Sequence, residues 1–399
     1  MSDRKQPFGP RLVSADSMHD GPLRVAVVGY GYWGPNLTRN VIERPELELA
    51  ALCERDPARA AAFEQRVPGV PVVSDLDRVL EDPTVDAVIV ATPPRTHYPL
   101  VKESLEAGKH VLVEKPLART AAEASDLVDI ADRRGLVLMP GHTFLYSPPV
   151  NKVHELINQG ALGEIYFVTS SRMNLGKYQP DGVICDLAPH DISILLYLLD
   201  SSVTQVSASA RSIFREHNPE VAFLTITFEG GVTANVQISW LAPRKVREMV
   251  FVGSRRMVQY DDTAADESIR VFDRGMEIEA PANFGEFQLS YRSGDIVVPR
   301  VEAAEPLSLE LQDFAHAMRT GVTPRSHAQL GLETVAVIEA AESSLRHNGE
   351  PVALGGRSSA RLPDRAEGNP GGARLNRAPP AVVGRGDRKG TRSRRAHGP

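Results

Sequence analysis

The sequence predicts an α/β protein. A doubly wound parallel sheet fills the first half, and an α/β domain with a large, mainly antiparallel sheet fills the second. Three observations predict this. LRVAVVGYGYWGPN sets a β-branched run before a glycine-rich turn and a helix. Uniformly apolar strands then alternate with helical segments as far as Met139. After a helix at Pro148–Gly160, alternating strands follow one another through short turns such as Glu229–Gly231.

The first half reads in order. Leu23–Val28 is a buried strand, and Gly29, Gly31 and Gly34 follow in G-x-G-x-x-G spacing. Gly29 permits a tight turn, and Gly31 lets a pyrophosphate approach the backbone. Gly34 lets a helix over Asn36–Glu43 pack on the strand. The free N–H groups at that helix start favour phosphate. A second strand, Glu48–Cys53, is closed by Glu54, twenty residues past Gly34. A carboxylate there accepts both ribose hydroxyls of NAD. Arg55 beside it is suited to a 2′-phosphate, so the pattern favours NAD and leaves NADP open. The plain alternative for Glu54 is a solvated charge at a strand end.

Helices are expected over Asp56–Val67, Asp75–Asp82 and His97–Ala107, and strands over Val70–Val73, Val85–Ala91 and His110–Val113. Ligands of such sheets bind at the carboxyl ends of the strands. Those ends carry Gly29, Glu54, Thr92–Pro93 and Glu114–Lys115, which puts Lys115 on the ligand-facing edge.

In the second half, Ile165–Arg172 alternates as a strand. VICDLAPHDISILLYLLD then sets Asp186 ahead of an apolar helix, Ile192–Leu199, with Pro189 fitting its first turn. Strands are expected over Val203–Ile213, Val221–Glu229, Val232–Trp240, Lys245–Gly253 and Met257–Asp261. Closing helices follow at Ser308–Met318 and Gln329–Ser344. An open sheet of this kind is an association surface, so a homodimer or homotetramer is expected. Asp186 and His190, four apart, share one helical face. Alone, Asp186 reads as an N-cap and His190 as a satisfied core histidine. Beside a dinucleotide fold and a strand-end lysine, the pair points to acid–base chemistry.

Composition narrows the class. The chain has 399 residues, 42% hydrophobic and 24% charged, enough for two cores. No apolar run approaches the roughly 20 residues that span a bilayer. The polar N-terminus has no signal-peptide pattern. Two cysteines, Cys53 and Cys185, exclude a disulfide framework and a Cys-rich zinc site, and no metal is called for. A soluble cytoplasmic protein is the expectation. Residues 355–399 carry eleven Lys/Arg and three Asp/Glu, a net +8 within a total of −6. The remaining body is therefore near −14, which argues against a specific nucleic-acid-binding core. The tail's Gly, Pro and Arg content predicts disorder, as does the composition of residues 1–21. The expected domains are 22–141 and 142–354.

The motifs VVGYGYWGPN, VIVATPPRTHYPL, VEKPLA, GHTFLYSP and CDLAPHDISILLYLL together resemble those of the glucose–fructose oxidoreductase/inositol dehydrogenase (GFO/IDH/MocA) family. The resemblance runs from Leu23 to Leu354. It implies a Rossmann domain, NAD(H) or NADP(H), and a small sugar, nucleotide-sugar or cyclitol substrate held between two domains. Lys115, Asp186 and His190 match the family's catalytic residues, and Pro116 would follow a cis bond. The cofactor would be held by Gly29, Gly31, Tyr32, Trp33, Gly34, Glu54, Arg55, Thr92, Pro93, His97, Glu114 and Lys115. Tyr146, Arg172 and Asn174 would contact substrate. YRSGDIVVPRVEAAEPLSLELQDFAHAM is similar to members that act on nucleotide sugars. A non-catalytic sensor of the same fold and a redox enzyme of non-carbohydrate substrates such as dihydrodiols are the competing readings.

Overall fold

The computed structural model describes residues 21–355, apart from 177, 217 and 280–287. The segments expected to be disordered, 1–21 and 355–399, lie almost wholly outside the described residues.

The first half is a six-stranded parallel sheet in the order β3-β2-β1-β4-β5-β6. Its strands are β1 (Leu23–Val28), β2 (Leu47–Cys53), β3 (Val72–Val73), β4 (Ala87–Val90), β5 (His110–Glu114) and β6 (Leu138–Gly141). Val25, Val27, Ala87, Val88, Ile89 and Val90 are fully buried. Both faces of the sheet must therefore be covered, which explains the unbroken apolar runs. One face carries α1 (Gly34–Glu43). The other carries α4 (His97–Glu106) and α5 (Ala121–Arg134). Strand order reverses between β1 and β4, so the crevice lies at their carboxyl ends. The short helices α2 (Pro57–Arg66) and α3 (Asp77–Leu80) complete the outer turns.

The second half opens with α6 (Pro148–Asn158), β7 (Ile165–Met173) and α7 (Gly182–Leu199). Then come β8 (Val203–Arg211), β9 (Val221–Phe228), β10 (Thr233–Ser239), β11 (Val246–Gly253), β12 (Met257–Asp261), β13 (Ile269–Glu279) and β14 (Gln288–Val297). Helices α8 (Pro306–Thr320) and α9 (Ala328–Arg346) and the short β15 (Val352–Ala353) end it. The nine strands form one sheet in the order β14-β13-β12-β11-β7-β10-β9-β8-β15. Every pair is antiparallel except β10 with β7. One face packs Val168, Leu224, Val236 and Phe251 into the core. The opposite face leaves Phe167 and Phe223 about 45% exposed.

Four expectations are corrected. Helix α7 begins a turn and more before Asp186, so Asp186 is no N-cap and Pro189 lies inside the helix. Helix α5 and strands β6, β13, β14 and β15 were not foreseen. The second sheet contains a parallel pair at its centre. The last two helices also reach back to the first sheet: Arg44 donates to Ser308, Asn40 to Glu305, and Val335 joins the core beneath β4 and β5. The two halves therefore share α8 and α9 rather than meeting only at a linker.

Candidate active site

The first sheet prepares a dinucleotide cradle. Gly29 has φ 97°, and a Cβ there would lie 2.8 Å from the Ala91 carbonyl oxygen. At Gly34 a Cβ would lie 2.6 Å from the Gly29 oxygen. Both positions are closed to side chains by their own backbone. Gly31 differs: its missing Cβ would meet only an Arg59 nitrogen at 4.0 Å, so the space above it is open for a phosphate. Helix α1 has no side-chain cap, and Pro35 takes the place of one of its first-turn donors, while Asn36 N and Leu37 N donate to Trp33 O at 3.0 Å. Tyr32 is 85% exposed and Trp33 38%, two aromatic rings presented at the loop's tip.

Glu54 sits at the end of β2 and accepts from Tyr30 N (2.7 Å) and Asp56 N (2.8 Å). Both oxygens are anchored, and each retains a lone pair for a ribose hydroxyl. Arg55 is exposed beside it. These features fit a nicotinamide dinucleotide.

His97 is fully buried, with Nδ1 2.7 Å from Pro116 O and Nε2 2.8 Å from Thr92 O. It staples the β4 and β5 end-loops together, and its ring is not turned to a ligand. Burial draws its pKa down. Thr92 and Pro93 lie on the loop so held, and Lys115–Pro116 is a cis bond. Glu114 is buried at the end of β5, and burial pushes its carboxyl up to about 7, with the Lys115 charge opposing.

Lys115 reaches across the crevice. Its Nζ donates to the Asp186 main-chain oxygen at 2.7 Å and lies 3.3 Å from Asp186 Oδ1. Asp186 Oδ2 accepts from Trp240 Nε1 at 3.0 Å. His190 follows one turn later on α7, with its ring edge-on to Phe144 at 4.9 Å. Its Nδ1 has no partner among the described residues. Withdrawal from water, then the charges of Lys115 and Arg172, hold His190 well below the usual histidine range. The imidazole is therefore neutral at pH 7, with its unpartnered Nδ1 free to receive a hydrogen bond.

The expected substrate residues divide. Arg172 is 4% exposed and pairs bidentately with Asp191 at 2.7 and 3.1 Å, its guanidinium over Phe144 at 4.4 Å. With Asn174, Leu187, His190 and Lys245 it lines a cavity of about 40 Å³. Asn174 keeps an unpartnered Oδ1 among the described residues. Tyr146 is not brought to the site. It is 2% exposed and donates to Asp313 on α8 at 2.8 Å.

A second cavity, of about 720 Å³, lies against the opposite side of α7. Ile184 and Cys185 line it, whereas Leu187 and His190 line the small one. Pro116 and Arg119 form its wall on the first-sheet side.

Sequence reasoning missed Trp240 and Phe144. Trp240 ends an alternating strand and Phe144 lies inside the GHTFLYSP motif, so each was visible without a role attached. Among the described residues, no group of three His, Cys, Asp or Glu is arranged to hold a metal.

Comparison with known proteins agrees with this geometry. The oxidoreductase family with an NAD-binding Rossmann fold matches residues 23–142, and the GFO/IDH/MocA C-terminal domain matches residues 150–259. The 1-carboxy-3-chloro-3,4-dihydroxycyclohexa-1,5-diene dehydrogenase of Comamonas testosteroni is 29% identical over 55% of this chain and 58% of its own length. An uncharacterised Escherichia coli oxidoreductase is likewise matched over 58% of its length. The scyllo-inositol 2-dehydrogenase (NAD(+)) of Bacillus subtilis is 28% identical over 83% of this chain and 96% of that protein. An inositol dehydrogenase homologue from Azotobacter vinelandii, solved with NADH and myo-inositol, has the same fold. Its TM-score is 0.69 at 22% identity, covering 84% of this chain and 98% of that one. The two matched regions cover more than half of the sequence and one carries each sheet's defining motifs: the chain belongs to the GFO/IDH/MocA family of oxidoreductases.

Proposed function

We propose that this protein is an NAD(P)-dependent oxidoreductase that moves a hydride to or from a secondary hydroxyl or ketone of a sugar, nucleotide sugar or cyclitol. The observation that carries the reading is the contact between Lys115 of the first sheet and Asp186 of α7, with His190 one turn away. Three groups suited to a carbinol meet where the two halves close.

When bound, the nicotinamide supplies the hydride acceptor or donor. The chain supplies the rest. An alcohol gives up its proton far above neutrality, so oxidation needs a base and a donor to the developing alkoxide. Neutral His190 takes the proton, and Lys115 donates to the reacting oxygen. Asp186 holds the ammonium in place. The Lys115 and Asp186 side chains are 14% and 27% exposed, and this partial burial strengthens their contact. Glu54 supports NAD over NADP, since its carboxylate would face a 2′-phosphate.

The larger cavity lies across α7 from His190 and is separate from the place where the carbinol would meet the base. Its 720 Å³ lies within the range of ligand pockets, about 300–1,000 Å³. Arg119 and Arg346 line it, and neither guanidinium has a hydrogen-bond or ion-pair partner among the described residues. Pro116 and Cys185 border it immediately beside Lys115 and Asp186. The exposed Phe167 and Phe223 of the open sheet face support a homodimer or homotetramer. Two free thiols fit a reducing cytoplasm.

The test is a dehydrogenase screen of inositols, amino-cyclitols and nucleotide sugars with NAD and NADP, read by reduced nicotinamide absorbance. Turnover with one class, lost on Lys115→Ala, is the expected result. Dinucleotide binding without turnover of any polyol would overturn the reading.

A further inference from the structure

We propose that Trp240 is a positioning residue of this reaction: its indole N–H clamps Asp186 as a fixed acceptor, so Asp186 aims the Lys115 ammonium and leaves proton transfer to His190. The inference rests on the oxidoreductase reading of the same site and adds a residue to it.

The carboxylate of Asp186 is divided between two donors. Oδ1 faces Lys115 Nζ at 3.3 Å and Oδ2 accepts from Trp240 Nε1 at 3.0 Å. An ammonium and an indole N–H can only donate. The ionised, acceptor-only carboxylate satisfies both; a carboxylic acid would turn an O–H on one of them. Among the described residues Asp186 has no hydrogen bond to His190, which meets Phe144 edge-on instead. Asp186 therefore does not orient the base.

Trp240 is itself held from several directions. It is 3% exposed and follows directly on β10. Its N donates to Glu220 O at 2.9 Å, and its O accepts from Gly176 N at 3.0 Å. Gly176 also gives the ring room, because a Cβ there would come within 3.0 Å of Trp240 Cδ1. The Tyr178 ring packs on it at 5.3 Å. Lys115, Asp186 and Trp240 thus reach one point from three separate elements: the end of β5, the second turn of α7 and the end of β10. A tryptophan needed only to fill the core could give its N–H to any carbonyl. This one is directed at the carboxylate that holds the strand-end lysine.

Trp240→Phe keeps an aromatic ring and removes the donor. The expected result is a fall of about tenfold in kcat, the size of one hydrogen bond to a charged group, with NADH affinity by nicotinamide fluorescence unchanged. The loss should not add to that of Asp186→Asn: the double variant should match Asp186→Asn alone. Wild-type kcat in Trp240→Phe, or additive losses, overturns the proposal. A second measurement does not depend on that variant folding. The chain has two tryptophans, and Trp33→Phe assigns their indole N–H resonances. The Trp240 signal should move upfield in Asp186→Asn as its charged acceptor is lost; an unmoved signal also overturns the clamp. A protein that turns over no polyol yet shows this shift would sink the oxidoreductase reading and leave the clamp standing.

Discussion

His190 works through its surroundings. Burial and the neighbouring charges of Lys115 and Arg172 oppose a second proton on the ring, so its pKa lies well below 6.5. The base form is present at pH 7 and is lost only as pH falls through that lowered value. The His190 ring protons, followed by NMR, should titrate below pH 6.5, and Lys115→Met should move the midpoint upward. Glu54 shows a different economy, holding Tyr30 N and Asp56 N with the oxygens that also face the ribose position. Glu54→Ala should raise KM for NAD by about tenfold, the loss of one or two charged hydrogen bonds, and raise KM for NADP less. Equal effects on both cofactors would remove Glu54 from the ribose site. The glycine spacing and Glu54 were legible because backbone geometry dictates them locally. Trp240 and Phe144 were not, because their roles exist only when β10 and the β6–α6 connection meet α7.

Helix α7 decides more than its sequence advertises. Its 18 residues are long and apolar enough to pass for a membrane span, yet 72% of that window is buried inside the molecule. It is a core helix that carries polar residues on chosen faces. Asp191 on one face pairs with Arg172 of β7, with side chains 3% and 5% exposed. Breaking a buried pair leaves a charge without water or partner. Arg172→Met should therefore lower unfolding free energy by about 3–5 kcal/mol in urea titration, and adding Asp191→Leu should recover much of it. A loss below about 1 kcal/mol would show that the pair is not a structural element. Helix α7 was misjudged at its start because Pro189 reads as a first-turn residue. In the fold, Gly182, with φ 83°, begins the helix earlier and the proline is absorbed within it.

Across the whole molecule, the crevice edge is a place of stored electrostatic opposition. Glu114 is buried at the end of β5 with its pKa raised from 4.5 to about 7. A raised carboxyl contributes stability below pH 4.5 and loses it as pH rises towards 7. Relative to Glu114→Gln, the wild-type protein should lose about 3 kcal/mol across that window, read as the difference between the two in denaturant unfolding at each pH. The second sheet leaves its far face open, with Phe167 and Phe223 exposed. The proposed homo-oligomer on this face predicts a mass above the monomer in light scattering, lowered by Phe223→Asp; a monomeric wild-type mass, or an unchanged one in the variant, would remove this face as an interface.

The sequence by itself determined the parallel sheet, its glycine-rich turn, and the placing of Lys115 on the ligand edge. Each follows from local constraints: hydrophobic period, backbone conformation and the fixed polarity of a parallel strand. Asp186 and His190 could also be paired in advance, because four residues make one helical turn. Only the tertiary structure decided which groups those residues touch. Asp186 turns to Lys115 and Trp240 and not to His190, Arg172 is taken up by Asp191, and Tyr146 is drawn away to α8. The same packing set β10 parallel to β7 and brought α8 and α9 back to the first sheet. Such contacts join residues tens to hundreds of positions apart, and no local pattern encodes which partner a buried polar group will find.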